Sequence, residues 1–348
     1  MRAAVYHGPG DIRIESVADP VDPARGEVVI EVARAAICGT DSSEWAHGPL
    51  LARPPVVLGH EFVGVVEEAG PAVQRLSVGQ RCAGAMFVAC GRCAACLAGR
   101  HLKCAAYAMF GLGDLMGGLQ GAQAEYVRVP IADMTLCPIP DGMEDEAALF
   151  TGDILATAYT GCVESGMGPG DVVAVVGAGP VGLLTVACAR LFGPATVFAI
   201  DLVPARLDLA RELGAFPIDA SQGDPAELLR QATGGARADV VIEAVGNQSA
   251  LETAWKVADI GATVALVGIL VSESWPQSAG NAWLRNLSIK TIVGQPYRHR
   301  QTLLRLIQSG VLQPQAIISE RVPLAEAPEA YARMDSRLTL KPVLKFER

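Results

Sequence analysis

Four cysteines fall within fifteen residues: Cys90, Cys93, Cys96 and Cys104, with gaps of two, two and seven. Gaps of two bring thiolates round a common point, and a tetrahedral zinc ion takes four soft ligands in a closed shell. A redox C-x-x-C pair would not use all four. Arg92, Arg100, His101 and Lys103 interleave with them, and their positive charge offsets that of four thiolates. The spacing predicts a structural zinc site. A closed shell has no place for a substrate, so this site holds a lobe and does no chemistry.

A second set is dispersed. Cys38-Gly39-Thr40-Asp41 follows a strand ending near Ile37, Gly59-His60-Glu61 opens another, and Thr151-Gly152-Asp153 lies in a helical segment. Each alone is weak, because a lone histidine before a strand is more often an ordinary surface or core residue. Together Cys38, His60 and Asp153 supply the three protein ligands that a catalytic zinc needs, with one position open for water or substrate. Glu61 either binds that metal transiently or stands behind it. Thr40, two residues from Cys38, reads by itself as a routine strand-end threonine, and only a family likeness would make it a proton acceptor beside the metal.

A third set is contiguous. Val172–Val176 is a short β-branched run, followed by Gly177-Ala178-Gly179-Pro180-Val181-Gly182, an apolar helical run, and a second strand Thr196–Ile200 closed by Asp201. For a dinucleotide each part has a task. Gly177 permits the tight turn, Gly179 lets backbone approach a pyrophosphate, and Gly182 lets the helix pack closely. The helix start, with Pro180 and Val181, offers N–H groups and positive dipole to phosphates. Asp201, about 20 residues on, accepts from the adenosine ribose and repels a 2′-phosphate, so NAD is expected over NADP. Arg206 in the next helix is a further cofactor candidate, as are Val245, Val267 and Ile269 at the ends of later strands. Glu243, also at a strand end, reads equally well as a surface acid. The uncharged run Val172–Ala189 is about long enough to span a membrane, but its glycines and proline favour a strand and a buried helix.

These residues need two kinds of scaffold. The first half reads as short strands (Ala3–Tyr6, Ile12–Glu15, Glu27–Ala36, Glu61–Ala69, Ala124–Pro130) in a barrel-like β module. Glu144–Tyr159 reads as one helix. From Asp171 strands alternate with helices. The strands are Val172–Val176, Thr196–Ile200, Asp239–Ile242, Thr263–Val267 and Ile289–Val293; the helices are Val181–Phe192, Ala205–Leu213, Pro225–Ala232 and Ser249–Val257. That alternation predicts an α/β doubly wound parallel sheet. A helix Arg300–Gln308 and a tail strand Lys341–Phe346 remain, the tail returning to the first module.

The 348 residues suggest about two domains. With 51% hydrophobic and 19% charged residues, the composition is that of a soluble globular protein. A net charge of −9 and the lack of a basic run argue against a nucleic-acid surface. MRAAVYHGPG has no apolar signal region, so a cytoplasmic protein is expected, and clustered cysteines then mean metal or catalysis rather than disulfides.

The chain resembles the zinc-dependent medium-chain dehydrogenases, the alcohol, polyol and threonine dehydrogenase group. C-G-T-D at Cys38–Asp41, G-H-E-F-V-G at Gly59–Gly64, the four-cysteine lobe and V-G-A-G-P-V-G at Val176–Gly182 carry the likeness over nearly the whole length. It implies a GroES-like catalytic domain (1–155 and 295–348, with the zinc lobe at about 88–106) and a Rossmann NAD-binding domain (156–294), with the active site in the cleft between them. It implies a catalytic zinc on Cys38, His60 and Asp153, two zinc ions per chain in all, and a homodimer or homotetramer. TGDILATAY is similar to the branch with aspartate as third ligand. Many members place a proton-relaying histidine where this chain has Ser43. Ser43 with water, His47 in its stead, or no relay are the alternatives.

On this reading an alcohol and its aldehyde or ketone exchange a hydride with NAD. Trp45, Phe110, Met116, Leu119, Ile269 and Tyr297 are candidate pocket residues for a small-molecule substrate, with a secondary alcohol favoured. A zinc-free quinone or enoyl reductase of the same fold is the nearest alternative. A zinc-ribbon interaction protein with a nucleotide-sensing domain is a more distant one.

Overall fold

The computed structural model describes all residues except 49, 270–274, 276–277 and 347–348. It divides into one unit of Met1–Asp153 with Pro296–Arg348 and a second of Ile154–Gln295. The sequence-based boundaries stood at 155/156 and 294/295.

The first unit is built on a seven-stranded sheet. Its order is Leu136–Pro138, Arg81–Gly84, Phe62–Ala69, Val28–Ala36, Pro342–Lys345 and Glu320–Pro323, with Tyr126–Val129 also paired to Val28–Ala36. The tail strand does return: Val343 and Leu344 pair antiparallel with Ala36 and Ala35. Val28, Ile30, Val32, Phe62, Val66 and Phe110 form the interior. At roughly 2 kcal/mol for each such side chain, their burial dominates the stability of this layer.

Two local expectations needed correction. Thr40 is not the strand-end threonine of its bland reading. Gly39–His47 is a helix with Cys38 as its N-cap, and the Asp41 carboxyl accepts from Cys38 N–H at 3.0 Å. Thr40 is therefore a first-turn helical residue. Nor is Glu144–Tyr159 one helix. A short helix Asp145–Ala148 passes into a 3-10 turn, Leu149–Gly152, and a new helix begins at Ile154. Asp153 sits at the break with φ −145° and ψ −95°, away from helical values.

The second unit is a six-stranded, all-parallel sheet. Its order is Phe216–Asp219, Thr196–Asp201, Val172–Val176, Ala238–Glu243, Ala258–Leu266 and Ser288–Thr291. The order reverses between Val172–Val176 and Ala238–Glu243, and ligands of doubly wound sheets bind outside the strand ends at such a point. Phe198, Ile200, Leu229, Val241, Leu251 and Trp255 fill its core. The edge strand Phe216–Asp219 escaped prediction because it is short and carries Pro217, which only an edge tolerates. The apolar run after the glycines is a ten-residue helix, Pro180–Ala189, too short to cross a bilayer. No helix among the described residues is long and apolar enough to do so.

Candidate active site

The cap of the helix Gly39–His47, the segment leading into strand Phe62–Ala69 and the break before Ile154 bring three side chains to one point. The ligand atoms of Cys38, His60 and Asp153 all lie within 4.8 Å of one another. His60 Nε2 is 3.2 Å from Asp153 Oδ2, and Cys38 Sγ is 3.6 Å from the same oxygen. All three are buried. Thr40, also buried, places Oγ1 3.7 Å from Cys38 Sγ. Ser43 is half-buried and His47 exposed, further along the same helix.

The electrostatics of this cluster fit a cation. Burial would depress the His60 imidazole, but the charges of Asp41 and Cys38 and hydrogen bonds with Asp153 and Asp41 outweigh it and hold its pKa well up. Burial pushes the Cys38 thiol up, with Glu61 and Asp153 adding to it. Asp153 is held low: burial opposes this, but the bond to His60 prevails. The group of donors (thiol, imidazole, carboxylate) attracts positive charge and is short of it, which suits a divalent metal.

Behind these donors lie Glu61, already a candidate, and Lys341, which the sequence did not single out. Glu61 is fully buried, and its Oε2 lies 2.6 Å from Nζ of the equally buried Lys341. Lys341 also donates to Ile37 O at 2.9 Å and sits 5.5 Å from the centre of the Phe150 ring. Burial raises the Glu61 pKa against the pull of Lys341, while Glu61 raises that of Lys341 against burial. Asp41 Oδ1 faces His60 Nδ1 at 3.4 Å. For Asp41 a signal existed: an acid three residues after an N-cap is half of a capping box.

The four cysteines also converge, with Cys96 and Cys104 buried and Cys90 and Cys93 half-buried. Backbone N–H groups point at their sulfurs: Cys90 N to Cys104 Sγ at 3.2 Å, Cys93 N to Cys90 Sγ at 3.4 Å, Cys96 N to Cys93 Sγ at 3.5 Å. The N–H groups of Arg92 and Cys93 draw the Cys90 pKa down, and burial pushes that of Cys96 up. Four sulfurs crowded round one point, with donors aimed at them, fit a closed-shell zinc. Tyr297, a candidate pocket residue, instead supports this lobe. Its hydroxyl donates to Phe87 O, and its ring packs on Phe87 and His101. Phe110 is core as well, edge-on to Phe62. Trp45, Met116 and Leu119 keep partial exposure.

In the other unit the glycine turn has the expected build. Gly177 has φ +94°, and a Cβ there would lie 2.3 Å from Val245 Cγ2. At Gly182 a Cβ would come within 1.8 Å of Gly177 O, so only glycine lets the helix sit this close. At Gly179 a Cβ would point into open space, which leaves room for a ligand to approach the backbone. Asp201 has an unforeseen second task. Its Oδ2 accepts from Ala178 N at 2.7 Å, and Oδ1 from Leu202 N and Val203 N at 2.7 and 2.9 Å, so it braces the turn. Arg206 is half-buried on the following helix Pro204–Glu212. Val245 and Ile269 are exposed beyond their strands, whereas the Val267 side chain is buried. Glu243 is not a surface acid. It is fully buried, and Oε1 accepts from Val245 N and Gly246 N at 2.8 and 2.7 Å.

Residues 24–141 match the alcohol dehydrogenase GroES-like domain family, and residues 180–309 match the zinc-binding dehydrogenase family. A Mycobacterium tuberculosis protein described as a "probable zinc-binding alcohol dehydrogenase" is 37% identical over 338 residues, covering 97% of this chain and 86% of that one. The solved alcohol dehydrogenase of Thermus sp. ATN1 is 37% identical, with a TM-score of 0.93 and full coverage of both chains. A Sinorhizobium meliloti protein described as a "putative zinc-binding dehydrogenase", solved with NADP, is 32% identical with a TM-score of 0.87, covering 99% of this chain and 98% of that one. With a metal-fitting donor set in a GroES-like unit and a glycine turn at the switch point of a Rossmann sheet, the chain belongs to the zinc-dependent medium-chain alcohol dehydrogenase family and is an oxidoreductase of that type.

Proposed function

We propose that this enzyme interconverts an uncharged secondary alcohol and its ketone with NAD(H), holding a catalytic zinc on Cys38, His60 and Asp153 and a structural zinc on Cys90, Cys93, Cys96 and Cys104. The convergence of the three buried donors from separate parts of the chain carries this reading. Zinc bound there supplies a Lewis acid that makes an alcohol hydroxyl more acidic and a carbonyl more electrophilic. Thr40 Oγ1 accepts the alcohol's hydroxyl proton while its own proton leaves along the helix. Ser43 and His47 follow at helical spacings of three and four, on one face, and burial falls from Thr40 to Ser43 to His47. That gradient supports an outward proton path ending in solvent. Asp153, His60 and Cys38 keep the donor side dry, which strengthens every charge interaction there. An apolar substrate is inferred because Trp45, Met116 and Leu119 are among the expected pocket residues and retain surface.

The preference for NAD rests on Asp201. Its carboxylate ends strand Thr196–Asp201, where a 2′-phosphate would meet like charge. Asp201→Asn keeps an oxygen for the turn and removes the charge. The ratio of kcat/KM for NADP to that for NAD should rise about tenfold, the equivalent of about 1.4 kcal/mol of relieved repulsion. An unchanged ratio would remove Asp201 from cofactor choice. The function itself is tested by a panel of primary, secondary and polyol substrates with zinc-loaded protein and each cofactor. Turnover highest on secondary alcohols with NAD supports the proposal, and no turnover on any alcohol overturns it.

A further inference from the structure

Gln123 is a fully buried polar residue outside every motif read from the sequence. A buried amide left unpaired costs about 1–3 kcal/mol, and this one is paired at both ends. Oε1 accepts from the Tyr331 hydroxyl at 2.8 Å. Nε2 donates to Asp41 Oδ2 at 3.2 Å and to Ala36 O at 3.5 Å. The amide orientation follows from its partners: Ala36 O can only accept, so the nitrogen must face it. Burial and the charge of Asp41 hold the Tyr331 hydroxyl in its protonated, donating form.

The rest of the path runs to the metal site. Asp41 Oδ2 also accepts from Cys38 N, and Oδ1 faces His60 Nδ1 at 3.4 Å. Those last two atoms have no other hydrogen-bond partner among the described residues. The fold makes room for the amide: Gly59, immediately before His60, has φ +100°, and a Cβ there would lie 2.6 Å from Gln123 Cγ. Gln123 N donates to Leu58 O at 3.0 Å, which fixes it to the segment carrying His60.

We propose that Tyr331 and Gln123 are positioning residues for the catalytic metal: they orient the Asp41 carboxyl, which in turn fixes the ring and tautomer of His60 and the backbone of Cys38. Residues behind a ligating histidine govern metal affinity by about 10- to 100-fold. The chain Tyr331–Gln123–Asp41–His60 extends that control to the C-terminal helix Ala327–Asp335. The proposal rests on the reading of Cys38, His60 and Asp153 as a zinc site.

The test is the rate of zinc loss to a chromogenic chelator, with cobalt-substituted protein as a spectroscopic check on the ligand field. Gln123→Leu should release one zinc about 10- to 100-fold faster, with a shifted cobalt absorption band. Release from the four-cysteine site, an internal control, should stay at the wild-type rate. Tyr331→Phe, which keeps the ring and its packing, should show a smaller change in the same direction and decides the matter if Gln123→Leu does not fold. A lowered Tm with wild-type zinc release and cobalt spectrum in both folded variants would mean a purely structural role and overturn the proposal. If wild-type protein itself binds only the four-cysteine zinc, the underlying site reading fails first.

Discussion

His60→Ala is expected to lower kcat/KM on any alcohol substrate by about a thousandfold or more. That factor is about 4 kcal/mol, within the several kcal/mol that a metal contributes to charge stabilisation. His60 Nε2 is the nitrogen that faces Asp153 and Cys38, and its other nitrogen already faces Asp41. The variant leaves two ligands, a thiol and a carboxylate, for an ion that wants three from the protein. Nucleotide affinity, measured by NADH fluorescence, should not move, because the glycine turn and Asp201 lie in the other unit. A folded variant with unchanged turnover would take His60 out of the site. Loss of nucleotide binding together with turnover would point to misfolding instead.

Lys341→Met should cost about 3–5 kcal/mol of folding stability, the usual consequence of removing one partner of a buried ion pair. The side chain has no solvent exposure, and its ammonium has two polar contacts, Glu61 Oε2 and Ile37 O. Methionine fills most of the volume but leaves the Glu61 carboxylate buried and uncompensated beside His60. Denaturant melts provide the measurement. The double variant Lys341→Met with Glu61→Gln should recover most of the loss, because a neutral amide needs no counter-charge, and the cycle isolates the pair. A Lys341→Met protein with wild-type stability would show that Glu61 is neutral in the native state and that the pair carries no weight.

What could be read from the sequence was what is local. The glycine turn and the four cysteines each lie in one stretch, and their spacing alone fixes which atoms meet. Cys38, His60 and Asp153 were each a weak signal, legible only when taken together, and the resemblance reinforced them. The break that sets Asp153 apart between Gly152 and Ile154 was hidden, because Glu144–Tyr159 has helical composition throughout. Lys341 was hidden for another reason: its partner Ile37 O is 304 residues away in sequence, and a lysine before a tail strand looks like surface. Gln123 was lost in the same way, since its neighbours Tyr331, Asp41 and Ala36 come together only in the fold. Glu243 and Phe110 show the converse. Residue type put them at a surface or a pocket, and packing buried both completely. Asp201 was legible as the acid that ends its strand, but its bonds to Ala178, Leu202 and Val203 depend on the turn it braces.

The most direct test of the central claim, that three scattered side chains form a second metal site, is elemental zinc analysis of the purified wild-type chain and of Cys38→Ala. The ligand sets predict about two zinc ions per wild-type chain and about one in the variant, the remaining ion held by the four cysteines. A wild-type chain with a single zinc, or a Cys38→Ala chain that keeps both, would contradict it.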